Sequence, residues 1–256
     1  MTESKSKVRR MKPRTDIAIP DRYVSMSNAL ARSAQGLSLS EKRVVSLALA
    51  LTDSVSSKEL IFSGKEGWSV KLNASDYAET YEVDLDTSYS QLKTAGKHLM
   101  KRTVRTLANS PRGLKEVETN WCAQCTYHHG EGWIEIAFTP QIAPHLLGLR
   151  SKFTSYKLKQ ASALRSIYSW RLFECLQSWK SKGAWVVELD EFQRLMDAPA
   201  SLRKDFGRLR ARVLEPALKE LREKDRLIID LELQRAGRKI TGLTFRFRED
   251  PQLKLC

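Results

Sequence analysis

Lys93, Lys97, Lys101 and Arg105 recur at steps of four, the spacing that lines side chains along one face of a helix. No acidic residue interrupts the run between Thr87 and Lys115, whereas solvated helix faces normally mix both signs. A second set repeats the device. Lys204, Arg208 and Arg212 stand at steps of four, joined by Arg203 and Arg210 and diluted only by Asp205, with Phe206, Leu209 and Val213 as an apolar stripe. The chemistry open to such faces is recognition of a polyanion. Lysine places a point charge on a phosphate, and the planar guanidinium of arginine can bond two acceptors of one base edge at once. A third basic group, Arg235, Arg238 and Lys239, sits around Gly237 at an expected hairpin tip, where it can reach phosphates beside a groove-reading helix.

Catalytic and metal chemistry find weaker footholds. Cys122-Ala-Gln-Cys125 with His128 and His129 has the look of zinc ligands,. On a regular strand, however, positions 122 and 125 point to opposite faces, and no second ligand pair lies elsewhere to close a site. A nicking enzyme would need a Tyr nucleophile and a metal on a His-hydrophobic-His pair. His128 and His129 are adjacent instead, and His98 and His145 are isolated. Ser63-Gly-Lys-Glu-Gly lacks the upstream Gly and the following Ser or Thr of a phosphate-binding loop,. The expectation is a binding protein and not an enzyme, with no catalytic residue, metal or cofactor.

Composition agrees with a polyanionic partner. The 256 residues carry a formal net charge of +14 and a sequence pI near 9.7,. The charge is uneven: residues 1–149 hold 20 Lys and Arg against 16 Asp and Glu, while residues 150–256 hold 24 against 14. The stronger electrostatic grip is expected in the second half. A hydrophobic share of 41% and six Trp mark a folded chain of a length that suits two domains,. No window approaches the roughly 18 to 20 apolar residues of a membrane span, and the cluster Lys5, Lys7, Arg9, Arg10, Lys12 has no apolar run behind it,. Four cysteines, Cys122, Cys125, Cys175 and Cys256, make no disulfide framework,. A soluble protein of the reducing cytoplasm, without membrane contact, is expected.

The elements that must hold these residues can be read in order. A helix runs from Leu37 to about Thr52 with Ser40 as its N-cap; Trp68 to Leu72 alternates as a strand; Asn73 opens a short helix through Val83; and a third helix spans Thr87 to Leu107,. Asn109-Ser-Pro-Arg-Gly breaks that helix, and strands Leu114 to Tyr127 and Trp133 to Phe138 flank the turn His128-His-Gly-Glu-Gly,. The order then repeats: helix Lys159 to Lys180, strand Trp185 to Leu189, helix Asp190 to Met196, helix Leu202 to Lys224 split or kinked at Pro216, and a hairpin of Leu227 to Leu233 with Ile240 to Phe247,. An offset of 117 lays Trp68 on Trp185 and Leu72 on Leu189,. The fold class expected is α+β, as tandem duplicated winged-helix domains. A basic flexible tail covers 1–22, a first domain anchoring DNA covers 23–149, and a second, main sequence-specific domain covers 150–256. Leu30, Leu37, Val44 and Leu51 recur every seventh position and read mainly as core, with a secondary reading as a self-association seam,.

Several stretches resemble a known family. Tyr156-Lys-Leu through Ser166-Ile-Tyr-Ser-Trp-Arg-Leu-Phe-Glu-Cys-Leu, the Trp185 strand, Arg212-Val-Leu-Glu-Pro-Ala-Leu-Lys-Glu-Leu, and the earlier Ser27-Asn-Ala-Leu and Leu39-Ser-Glu-Lys-Arg are similar to the iteron-binding initiators of theta-type plasmid replication. The resemblance implies binding to direct repeats at a plasmid origin, distortion of an A·T-rich duplex nearby, and loading of host initiation factors and helicase. It also implies monomers on the repeats in equilibrium with homodimers, formed through the first domain, that repress the protein's own gene. The base-reading arginines of the family fall here on Arg210 and Arg212, with Ala211 between them where some relatives keep a third Arg. Two rivals remain: a winged-helix transcriptional repressor with no replication role, and a nicking rolling-circle initiator.

Overall fold

Strand β1 (Tyr23–Ser27) leads into a single helical turn, α1 (Asn28–Ala31), whose N-cap Ser27 accepts a hydrogen bond from the Leu30 amide. The computed structural model describes residues 17–52, 68–147, 149 and 151–250. Residues 1–16 of the expected tail, the Ser63-Gly-Lys-Glu-Gly stretch and Cys256 lie outside the described residues. Residues 17–22 dock at the opposite end of β1, where Lys157 and Lys159 pair with Asp21 at 3.5 and 2.8 Å.

Helix α2 (Leu39–Leu51) starts two residues earlier than Ser40 as its cap would allow. Ser38 is the cap: its hydroxyl accepts from the Glu41 amide and the Glu41 carboxylate accepts from the Ser38 amide, a capping box,. Leu30, Leu37 and Val44 are buried and Leu51 packs against the same core, so the seventh-position series is core packing. After β2 (Ser69–Asn73) and α3 (Ala74–Tyr81), helix α4 (Leu85–Leu99) ends eight residues before Leu107. The β-branched Thr103, Val104 and Thr106 favour an extended chain, and they form β3 (Thr103–Ser110), which pairs antiparallel with β4 (Gly113–Asn120). Asn109-Ser-Pro-Arg-Gly is thus a hairpin turn and not merely a helix stop. The strand expected over Leu114 to Tyr127 is broken at Trp121, a fully buried residue whose indole donates to the Gln35 carbonyl at 3.0 Å. Beyond it, β5 (Cys122–His128) and β6 (Trp133–Phe138) form the first wing, in a sheet of order β2-β6-β5.

Strand β7 (Phe153–Lys157) returns to pair with β1, a contact between segments too distant in sequence for any local turn signal. The helix expected over 159–180 is two: α5 (Leu158–Ser162) and α6 (Ile167–Ser178), restarted by Ser166, whose hydroxyl accepts from the Tyr168 amide at 3.2 Å. The chain continues through β8 (Ala184–Glu188), α7 (Leu189–Leu195), α8 (Ala200–Arg203), α9 (Phe206–Leu209), a π-turn over Arg210–Leu214, α10 (Glu215–Lys224), β9 (Leu227–Ala236) and β10 (Lys239–Glu249). The second sheet has order β8-β10-β9.

The repeat is visible in the packing. Trp68 stacks on Phe138 with ring centroids 4.5 Å apart, and Trp185 stacks on Phe245 at 5.2 Å. In both sheets the strand after the core helix pairs with the last strand of the hairpin. Helix, strand, helix, helix, hairpin occurs twice, so the chain is a pair of winged helices with an extra hairpin, β3–β4, in the first.

The halves are interleaved. β7 pairs with β1, α5 packs on α2, and α6 reaches both modules. At the centre the Glu174 carboxylate of α6 contacts the Lys42 ammonium of α2 at 2.5 Å and the Arg171 guanidinium at 2.6 Å, and accepts from the Tyr156 hydroxyl at 2.8 Å. Burial pulls the Lys42 ammonium down to about 8. Burial alone would raise Glu174, but Lys42 and Arg171 outweigh it and the carboxyl titrates below its ordinary value,. Among the described residues no helix is long and apolar enough to cross a membrane.

Candidate nucleic-acid interface

In the second module Asp205 caps α9 by accepting from the Arg208 amide at 3.1 Å,. Arg203 and Lys204 therefore stand before the cap, on and just after α8, and not on α9 itself. Helix α9 passes without a break into the π-turn, closed by the Glu215 amide bonding to the Arg210 carbonyl five residues back. Pro216 explains the wider turn. It brings no amide for the Arg212 carbonyl, and its ring would crowd that carbonyl in an α-helix. The chain is thus widened ahead of Pro216 and continues as α10. Leu209, Val213 and Leu214 are buried, and Arg208, Arg210 and Arg212 are exposed.

Two of these arginines rest on carboxylates of their own helix: Arg210 on Glu215 at 2.8 Å and Arg208 on Asp205 at 3.4 Å, with all four side chains at least half exposed. Exposed pairs of this kind are worth only about 0–1 kcal/mol, so they hold the guanidinium groups outward and release them cheaply to a stronger anion. The wing opposite is the β9–β10 hairpin. A bulge between Ile240 and Gly242 adds twist near its tip, where Arg235, Arg238 and Lys239 are exposed. Between helix and wing lies a cleft of about 630 Å³ lined by Arg203, Lys204, Arg210, Arg235, Arg238 and Lys239, together with Asp190 and Gln193 of α7. Six of the sequence-predicted cations meet there. Arg208 and Arg212 are not among its lining residues. Arg203 has its guanidinium turned back to the Ala198 carbonyl at 2.5 Å.

The first module departs further from expectation. Only Lys93 and Lys97 of its basic stripe lie on α4; Lys101 follows the helix end, and Arg105 is on β3, paired with Asp197 at 3.3 Å. The stripe extends the other way, to Tyr89 four residues before Lys93, a position that the same spacing rule could have flagged. Tyr89 meets the first wing, its hydroxyl 3.3 Å from His129 Nδ1. On that wing His128 stacks on Trp133 at 5.0 Å and Lys71 lies 4.2 Å from the Trp133 ring centroid. Hydrogen bonding from the Trp133 indole, then the nearby His128, lowers the Glu131 carboxyl. Helix α4 approaches β5 so closely at Gly96 that a Cβ there would lie 2.8 Å from Cys125 Sγ.

The pairing between Cys122 and Gln124 contains a bulge, so Cys122 and Cys125 sit opposite Phe138 and Ile136, two inward residues of β6. The expectation that they face opposite ways is corrected by that extra residue. Burial raises both thiols, which disfavours the thiolate that a metal would require. Among the described residues no group of three or more His, Cys, Asp or Glu could hold a metal.

Comparison with known proteins fits this architecture. Residues 23–177 match the family model described as Initiator Replication protein, WH1, and residues 188–247 match Initiator Rep protein, WH2. The chain belongs to the initiator replication protein family. The initiator is 28% identical over 257 residues to the PI protein of Escherichia coli, covering 87% of this chain and 81% of the relative. It is 29% identical over 220 residues to an uncharacterized 27.6 kDa protein of the same organism, covering 84% and 91%. A probable replication protein rep of Bifidobacterium longum (strain NCC 2705) is 31% identical over 119 residues, 46% of the initiator and 39% of that protein. In fold the initiator is similar to the crystal structure of Pi initiator protein in complex with iteron DNA, with a TM-score of 0.73 and 24% identity over 91% of this chain and 99% of that one.

Proposed function

We propose that the initiator binds directly repeated sequences, iterons, in the double-stranded DNA of a plasmid origin, promotes opening of the duplex beside them, and does so by binding without catalysis. The observation that carries this reading is the cleft in which six cations from the reading-helix region and the wing converge, the arrangement a winged helix uses to hold a groove and its flanking phosphates together. The Pi initiator of similar fold was solved with iteron DNA. Arg210 and Arg212, with Arg208, read base edges; Arg203, Lys204, Arg235, Arg238 and Lys239 hold phosphates; Lys93, Lys97 and Lys101 anchor the first module. Arg105, tied to Asp197, is left out of this set. The same reading has the protein act on repeats as a monomer, repress its own gene as a homodimer, engage host initiation factors and helicase, and reside in the cytoplasm with the plasmid.

The test is selection of bound duplexes from a random library by the full chain at near-physiological salt, where non-specific phosphate binding no longer dominates. The expected product is one long asymmetric site with two specified blocks about one helical turn apart. A palindrome alone would favour a dimeric repressor, and no enrichment would overturn sequence-specific binding.

A further inference from the structure

The turn over residues 31–37 is the meeting point of the two modules. Arg171 donates to the Ala31 and Ser33 carbonyls at 3.1 and 2.7 Å, and Arg32 donates to the Ser178 carbonyl at 2.7 Å while lying 3.9 Å from the Trp179 ring centroid. These ties come from α6. One other comes from much nearer α9. Asp197, in the corner between α7 and α8, accepts from two successive amides, Gln35 at 3.1 Å and Gly36 at 2.8 Å, through Oδ2, and from the Arg105 guanidinium at 3.3 Å through Oδ1.

Each partner is itself fixed. Gly36 has φ +62, and a Cβ on it would lie 3.1 Å from the Thr103 carbonyl oxygen, so the turn that presents the two amides is set by glycine. Asp197 has φ 48, a left-handed conformation that Asp and Asn tolerate better than most residues. The Arg105 amide is bonded to the Ala34 carbonyl at 2.9 Å, which locks β3 to the same turn. A carboxylate bonded to charged and backbone donors makes strong, directional contacts. Here a single carboxylate bridges the lead-in to α2, strand β3 and the corner that precedes α8 and α9.

We propose that Asp197 is a positioning residue: it fixes the angle between the two winged helices and so sets the spacing of DNA blocks that one chain can read. This rests on the two-module reading above. A duplex turns once in about 10 to 10.5 base pairs, so two modules on one chain meet their blocks on the correct face at one spacing only when their mutual orientation is held.

The test uses the full chain and the duplex selected by it, against versions with one or two base pairs inserted or removed between the blocks. The wild type is expected to favour the selected spacing by about tenfold or more, and Asp197→Ala to lower that preference to about threefold or less. Affinity of Asp197→Ala for a duplex retaining only the block read by the second module should equal that of the wild type. Asp197→Asn, which keeps the left-handed tendency and one acceptor, should fall between. If Asp197→Ala does not fold, Arg105→Gln, which removes only the ion pair, carries the same comparison with a smaller loss. Retained spacing preference in the folded variants would overturn the positioning role alone, as would an equal loss on the single block. A selection yielding no second block would overturn the two-module reading and this inference with it.

Discussion

The two winged helices share a scaffold and present different surfaces. In the second, helix and wing stand apart across a cleft lined by six cations. In the first, the wing is drawn onto α4 by the Tyr89–His129 contact, and its tip carries His128, His129 and Glu131 in place of Arg and Lys. The first module also spends two cations internally, Arg102 on Glu41 at 2.9 Å and Arg105 on Asp197 at 3.3 Å. A duplicated fold therefore does not imply duplicated chemistry. One copy gathers its cations in an open cleft, and the other ties one arginine into its own core and a second to the neighbouring module.

The largest expected effect tests whether the copies share one core. Glu174→Gln strips the counter-charge from buried Lys42 and Arg171 and should cost about 3–5 kcal/mol, read by denaturant unfolding. A two-step transition with one step unmoved would break the view that the modules stand or fall together. Asp225, at the end of α10, is next. Burial raises its carboxyl to about 7 from an ordinary 3.8, and a negative charge at a helix C-terminus is unfavourable as well. The folded chain holds this proton more tightly than the unfolded one. The resulting stability is intact below about pH 4 and lost as pH rises through 7. Asp225→Asn should leave stability at pH 3.5 unchanged and raise it at pH 8, by at most about 4 kcal/mol, measured by thermal melts at both values.

The difference in readout gives two smaller effects. Arg212→Ala should cost roughly 1–3 kcal/mol on the selected site and relax discrimination at one or two base positions, as measured by titration against single-base variants. Lys97→Ala should weaken every sequence about equally and reduce the slope of log affinity against log salt by about 1. If Lys97→Ala instead altered base preference, the assignment of Lys97 to phosphate anchoring would need revision.

Much of the fold is legible in the sequence. The repeated order of elements, Trp68 over Trp185, and the convergence of Arg203, Lys204, Arg210 and the second wing all follow from period and charge. The misreadings have physical causes. The steps of four from Lys93 to Arg105 continue across a helix end because charge spacing does not register the β-branched residues that turn the chain into β3. A strict period of two sets Cys122 and Cys125 on opposite faces, and one bulged residue reverses this. β1 and β7 pair across most of the first module, and Asp197 meets Gln35 and Gly36 from the other end of the fold, contacts for which a linear sequence carries no local signal.

The π-turn over Arg210–Leu214 bears on how such a protein changes over generations. It separates one continuous helix into an outer end, carrying Arg208 and Arg210, and an inner end whose Ala217, Leu218 and Leu221 are anchored in the core. A wide turn is one residue longer than the α-turn it replaces. On the proposed function, substitutions at the exposed positions Ala211 and Arg212 can change the groups offered to base edges while Leu209, Val213 and Leu214 keep their places in the core. On that reading, lineages of this chain drift toward new repeat sequences without first surrendering the stability of the fold that presents them.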